Sequence, residues 1–409
     1  MTRDTPSAEP APQGLPAAAA VPLRVDWVES ETPHSARWRS ERGAPPPKRV
    51  VLADDTMPAD AAYRLACEGT GLLWRGDFHN ARQLLLALAR RIDRKATRRG
   101  APPPAATAPG AAFHLHRQAQ SQRARVLAML LIPLDADYAI PLRRAPDHRL
   151  ACTEAWGPAE TAGGPSVVSL RELLGVVSAH EWRKKGVPVP ALGPAPDNRI
   201  HPHHGVFSPV RGEYIELVAT APLPMAAEGL AAFDIGTGTG VLAAVLARRG
   251  VTRVLATEID PRALACAQQN LEGLGLADRV TLLPADLFPP GRAGLVVCNP
   301  PWLPARPGAP IERAVYDEDS RMLKGFLAGL AAHLAPGGEG WLILSDLAEH
   351  LGLRSRAELL AWTADAGLQV LGRIDTRPTH GKATDGTDAL HAARAAEVTS
   401  LWRLGATAA

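Results

Sequence analysis

Between Ala231 and Arg249 the chain reads AAFDIGTGTGVLAAVLARR: an apolar run closed by Asp234, a glycine string, then an Ala/Leu/Val segment at helical spacing. That order is strand, tight turn, helix. Gly236, Gly238 and Gly240 allow the turn to reach positive φ, and the missing Cβ atoms let a ligand approach the N–H groups at the helix start. The spacing G-x-G-x-G differs from the dinucleotide fingerprint G-x-G-x-x-G, because Val241 stands where the third glycine of that pattern would fall. A carboxylate at Asp234 repels a pyrophosphate and suits a cationic or hydroxyl-bearing ligand. Taken alone, the loop leaves open a nucleotide site and a purely structural strand–helix turn.

About sixty residues on, Val296–Pro304 reads VVCNPPWLP. Asn299 follows a short buried-strand run and so stands at a strand's carboxyl end, where open α/β sheets bind ligands. Pro300 and Pro301 fix the backbone and remove two N–H donors, leaving carbonyls as the available polar groups. The Asn299 side-chain oxygen and the Pro300 carbonyl can each accept one hydrogen of a planar –NH₂, and Trp302 can stack on the conjugated group behind it. The bland alternative is a rigid loop after a strand.

The string D-x-G-x-G-x-G resembles the first motif of the class I S-adenosylmethionine (SAM)-dependent methyltransferases. NPPW resembles the (N/D)PP(Y/F/W) motif of amino-group methyltransferases, which act on adenine N6, guanine N2 or glutamine amides. Val206-Phe-Ser-Pro-Val-Arg211 followed by Glu216-Leu-Val218 is similar to a segment that precedes the SAM loop in release-factor glutamine methyltransferases. The resemblance implies an α/β fold over residues 201–409, a seven-stranded Rossmann-like sheet with helices on both faces. It implies SAM as cofactor, held by Asp234, Gly236, Gly238, Gly240, Glu258, Asp286, Leu287 and Asn299. Glu258, eighteen residues after Gly240, would take the two ribose hydroxyls, Asp286 the adenine amino hydrogens, and the Leu287 N–H the ring. Asn299, Pro300, Pro301 and Trp302 would form the catalytic clamp on the accepting nitrogen.

Upstream, residues 1–22 are rich in Ala, Pro, Ser and Thr and read as a disordered tail. Residues 23–200 read as a mainly helical substrate-recruiting region, with apolar stripes such as Leu84, Leu85, Leu88 and Ile92. From Arg75 to Arg149 this region holds fourteen Lys/Arg against five acids, which favours an RNA substrate or equally a solvated Arg face in an Arg-biased chain. Cys67, Cys152, Cys266 and Cys298 lack ligand spacing, and the H-x-H-H run from His201 to His204 has no partner set. A reduced, metal-free cytoplasmic protein is therefore expected, with no membrane span. The expected partner is RNA, or a ribosomal or translation-factor protein. The expected reaction is N-methylation of an RNA base (adenine N6 or guanine N2), with protein glutamine as the alternative substrate and a non-catalytic SAM/RNA-binding module as the alternative of another class.

Overall fold

Two α/β sheets are built in succession along the chain. The structure is a computed structural model that describes residues 22–98, 109–159, 163–227, 229, 231–378 and 388–407, so the tail expected over residues 1–22 falls almost wholly outside it. The N-terminal unit contains β1 (Arg24–Glu29), β2 (Thr32–Arg39), β3 (Arg49–Ala53), α1 (Ala59–Cys67), β4 (Thr70–Trp74), α2 (Phe78–Arg98), α3 (Pro109–Leu127) and β5 (Leu130–Leu134). It continues through α4 (Arg149–Trp156), β6 (Ser166–Ser169) and α5 (Leu170–Lys185).

This corrects the mainly helical reading of residues 23–200: six strands form one mixed sheet in the order β1-β2-β6-β5-β4-β3. Strands β4, β5 and β6 are buried at every position. Leu72, Trp74, Leu130 and Ile132 of the sheet pack with Phe78, Leu84 and Leu88 of α2. Val25, Trp38, Leu73, Leu131 and Val167 close the opposite face in a smaller cluster.

Two-residue strands β7 (Val187–Pro188) and β8 (Arg199–Ile200) pair within the proline-rich connection. Then come α6 (Glu213–Thr220), β9 (Ala232–Ile235), α7 (Val241–Arg248), β10 (Val254–Glu258), α8 (Pro261–Gly273), β11 (Val280–Pro284) and β12 (Ala293–Cys298). The unit ends with α9 (Arg321–His333), β13 (Leu334–Ser345), α10 (Leu347–His350), α11 (Arg356–Asp365), β14 (Leu368–Thr376), α12 (His391–Ala396) and β15 (Thr399–Ala406). Seven strands lie in the order β11-β10-β9-β12-β13-β15-β14, parallel except for β15, which runs antiparallel to both its neighbours.

Apolar residues bury both faces of this sheet, as a parallel sheet requires. Val241–Ala247 of α7 fill one side, and Leu323, Phe326, Leu327 and Leu330 of α9 fill the other. Local chemistry starts the helices: Asp260 accepts the Arg262 N–H ahead of Pro261, and Ser355 with Glu358 forms a reciprocal capping box.

Gly294 in β12 admits no side chain, since a Cβ there would stand 1.8 Å from the carbonyl oxygen of Ala226. Gly294→Ala is therefore expected to cost about 2 kcal/mol or more, because backbone must give way on one side. Thermal unfolding checks it, and a melting temperature equal to the parent's would refute the tight crossing.

Candidate active site

Four strand ends meet along one edge of the seven-stranded sheet. Strand β9 leads into the glycine loop and its neighbour β12 into Asn299; Cys298 pairs with Ile235, so Asn299 emerges beside Gly236. On the other side of β9, β10 ends at Glu258, and β11 leads on to Asp286. Strand order reverses between β9 and β12, the place at which open α/β sheets bind ligands.

The glycine loop is folded around Asp234. This carboxylate is 1% exposed, and its Oδ2 accepts the Thr237 hydroxyl at 2.6 Å and the Ala243 N–H at 3.0 Å. Burial pushes its pKa up to about 6, against the two hydrogen bonds that favour the charged form. The sequence sets Asp234 against a ligand; in the structure it braces the loop from beneath.

Gly236, Gly238 and Gly240 all have left-handed φ, at 72°, 56° and 81°. They differ in their surroundings. A Cβ on Gly236 would lie 2.5 Å from Met322 Cε and one on Gly240 3.2 Å from Ala267 Cβ, whereas one on Gly238 would meet nothing within 4 Å. Gly236 and Gly240 are close-packed, and Gly238 opens onto a cradle. The Gly238 N–H donates to Glu258 Oε2 at 3.1 Å, while Glu258 Oε1 accepts the N–H groups of Ile259 and Asp260 at 2.8 and 3.0 Å. Glu258 is thus held at the rim of that cradle.

Leu287 has φ of 73°, a strained value for a side chain with a Cβ. The Thr257 hydroxyl donates to its carbonyl at 2.5 Å, and its side chain lies against Gly325, where a Cβ would come within 2.7 Å of Leu287 Cδ1. Phe288 stacks on His333 at 4.3 Å and on Phe326 at 5.8 Å. The half-exposed Asp286 pairs with Arg321 at 3.2 Å.

On the acceptor side, the Trp302 indole N–H donates to Asn299 Oδ1 at 2.9 Å. The bond fixes which way the Asn299 amide faces and leaves one lone pair of Oδ1 for a further donor. The Arg211 guanidinium lies 5.5 Å from the centre of the Trp302 ring. Arg211 donates to both oxygens of Glu397, at 3.2 and 3.4 Å, and the Ser345 hydroxyl donates to Glu397 at 2.7 Å. Trp302 is therefore gripped at its nitrogen and on a face, a positional role beyond the stacking read from the sequence.

Sequence reasoning missed Glu397, Ser345, Asp317 and Met322. Glu397 stands between the end of α12 and β15, and only the fold brings it to Arg211. Asp317 caps α9 by accepting the N–H groups of Met322 and Leu323 at 3.0 and 3.1 Å. Its own N–H donates to Leu303 at 2.9 Å, which closes the neck of the loop after NPPW.

Helix α3 of the N-terminal unit holds that loop from outside. Phe113, 2% exposed, packs with Leu303, Leu347, Leu351 and Leu390. Arg117 donates to the Arg306 carbonyl at 2.8 Å, lies 3.7 Å from Glu312, and sits 4.1 Å over the Tyr316 ring. Many arginines of the basic segment are engaged in the same way. Arg75, Arg91, Arg123, Arg143, Arg144 and Arg149 each pair with a nearby carboxylate. The charge excess of that segment, nine along the sequence, is offset in part by Glu29, Asp55, Asp60 and Glu312 from outside it.

Among the described residues no group of His, Cys, Asp and Glu is arranged to hold a metal, and no helix is long and apolar enough to cross a membrane. All four cysteines are free, with Cys67 exposed and the others buried.

The family model described as the methyltransferase small domain matches residues 197–356. A release factor glutamine methyltransferase of Moorella thermoacetica is 44% identical over 117 residues, covering 27% of this chain and 41% of that protein. The tRNA1(Val) (adenine(37)-N6)-methyltransferase of Shewanella loihica is 30% identical over 186 residues, covering 43% of this chain and 72% of that protein. A ribosomal protein L11 methyltransferase of Pelotomaculum thermopropionicum is 46% identical over 69 residues, 16% of this chain and 22% of that protein. The chain thus spans less than half the length of the release-factor relative. With the glycine loop, the strand-end acids and NPPW all at one sheet edge, the chain belongs to the class I SAM-dependent methyltransferases that carry the methyltransferase small domain.

Proposed function

We propose that the protein transfers a methyl group from SAM to a planar, conjugated amino nitrogen of an RNA base, adenine N6 or guanine N2. The observation that carries this reading is the register of β9 with β12, which puts Asn299 beside the glycine loop. The residues present fit the cofactor. Gly238 leaves open the space that a Cβ would enter, and Glu258 sits at its rim with a carboxylate suited to a ribose diol. Asp286 and Leu287 lie at the end of the next strand, in reach of an adenine ring, and Asp234 acts through the loop that it braces.

SAM supplies an electrophilic methyl carbon on a sulfonium. Asn299 Oδ1 and the Pro300 carbonyl hold the two hydrogens of the –NH₂, so that the nitrogen lone pair faces the methyl carbon for in-line attack. With SAM bound, the S–C bond would break as the C–N bond forms, and the nitrogen's proton would leave to solvent. No strong base is needed, because the nitrogen turns acidic only as the methyl arrives. The Arg211–Glu397–Ser345 set fixes Trp302, and Trp302 fixes Asn299.

A protein glutamine amide is the second reading, favoured by the 44% identity to a release factor glutamine methyltransferase. Tritium transfer from labelled SAM separates the two: a lysate of a strain lacking the gene is treated with the purified protein and split into RNA and protein. Label in RNA is expected. Label confined to protein would replace the base with the amide, and label in neither would overturn amino methylation.

A further inference from the structure

A groove of about 520 Å³ lies at the seam of the two units, away from NPPW. His180, Arg183 and Lys184 of α5 line it at spacing i, i+3, i+4, the spacing that gathers side chains on one helix face. Glu154 of α4 stands beside them, and His201, Gln269 and Asn270 form the opposite wall.

The charges there are not balanced. Glu154, the one carboxylate of the lining, is engaged by His180 at 2.8 Å and Arg183 at 3.6 Å. Lys184 is exposed and has no ion pair among the described residues. The last carbonyls of α5, a negative helix pole, are already covered: Arg199 donates to Lys185 and Gly186 at 3.1 Å each, and His201 Nδ1 donates to Arg183 at 2.6 Å. Gln269 adds an amide, its oxygen accepting from Arg183 at 2.8 Å. With Glu154 and both ring N–H groups engaged, the groove presents Lys184, the Gln269 amide N–H₂ and a net positive charge within a nucleotide-sized space.

One buried side chain links the groove to the cofactor loop. Asn270, 4% exposed, accepts the His201 N–H at 2.7 Å and donates to the Thr239 carbonyl of the glycine string at 3.0 Å. From His201 the chain runs along α8, with the His203 N–H on Cys266 Sγ, and reaches Arg211 over Trp302.

We propose that this groove is a second binding site, which takes the phosphate of a nucleotide unit in the RNA strand whose base is methylated. The strand is anchored at the seam while one of its bases enters the NPPW clamp. This rests on the RNA reading above, and it moves recruitment from α2 and α3, where Arg91, Arg117 and Arg123 are paired, to the end of α5. A free nucleotide shares the same chemistry, so the test includes both sources.

The test uses the full chain and a fluorescein-labelled single-stranded oligoribonucleotide, with anisotropy followed across a salt series. Lys184→Glu alters an exposed residue outside the methyl-transfer site, and an unchanged melting curve confirms its fold. It is expected to weaken binding about tenfold or more at low salt, and to flatten the slope of log affinity against log salt by about one. SAM affinity should stay as in the parent. Lys184→Gln should fall between the two. Adenosine monophosphate is titrated in parallel: if the strand binds more tightly and both lose affinity in Lys184→Glu, the strand is the source. If the mononucleotide binds as tightly and also depends on Lys184, a free nucleotide is the source. Parent-like oligonucleotide affinity and salt slope in Lys184→Glu would overturn the proposal. Binding is read without methyl transfer, so RNA that is bound through Lys184 but never methylated counts against the amino-methylation reading and supports the groove. RNA that is methylated, yet bound equally well by Lys184→Glu, removes the groove alone.

Discussion

Asn299→Ala is expected to lower methyl transfer by about a hundredfold or more while SAM affinity changes by less than about tenfold. The asymmetry follows from where the side chain stands. Its Oδ1 holds Trp302 at 2.9 Å and keeps one lone pair for a further donor, which the proposed reading assigns to the acceptor's –NH₂, whereas the loop, Glu258 and Leu287 are placed by other bonds. Single-turnover rates with labelled SAM, set beside calorimetric SAM binding, separate the two effects. Asn299→Asp keeps an acceptor for the indole N–H and should retain partial activity. Full turnover in Asn299→Ala would reduce NPPW to a rigid turn.

The second large effect is expected at the cofactor loop. Gly238→Val places a β-branched residue at φ of 56°, which such residues rarely adopt, and puts its side chain into the cradle. It also disturbs the N–H that Glu258 accepts. SAM affinity should fall by about a hundredfold or more, since strain and steric exclusion act together. Gly238→Ala, with the smaller side chain, should lose less. Calorimetry showing SAM binding within about threefold of the parent in Gly238→Val would mean that the open side of the loop faces something other than the cofactor.

What could be read from the sequence was the chemistry at strand ends. The glycine string, Glu258, Asp286 and Asn299 each follow a short apolar run, and the ladder brings those run ends to one edge. The N-terminal sheet escaped for two physical reasons. Strands β4, β5 and β6 are buried on both faces, so they show no alternation, and β5 and β6 directly adjoin helices whose apolar pattern they extend. Strands β1 and β2 carry charges on their exposed positions, and their short inward sets reduce to Val25, Ala36 and Trp38. The role of Asp234 was obscured for another reason: its neighbours in space, the Thr237 hydroxyl and the Ala243 N–H, exist only once the loop has closed. Likewise the arginine count of the basic segment left attraction to RNA and a solvated face equally open, and it could not show that Asp55 and Asp60, from outside the segment, pair with Arg143 and Arg91.

Phe113 and Arg117 carry a consequence for how such a protein can change over generations. Both belong to the front unit, yet they floor and pin the loop that follows NPPW in the rear one. A gene cut at His201 would keep the glycine loop and lose the packing over Leu303, Leu347 and Leu351. A front half exchanged by recombination would bring a different floor to the loop after NPPW, so the two units are inherited together. Point substitutions along α3 then offer a route by which the loop after NPPW can drift while the glycine loop stays the same.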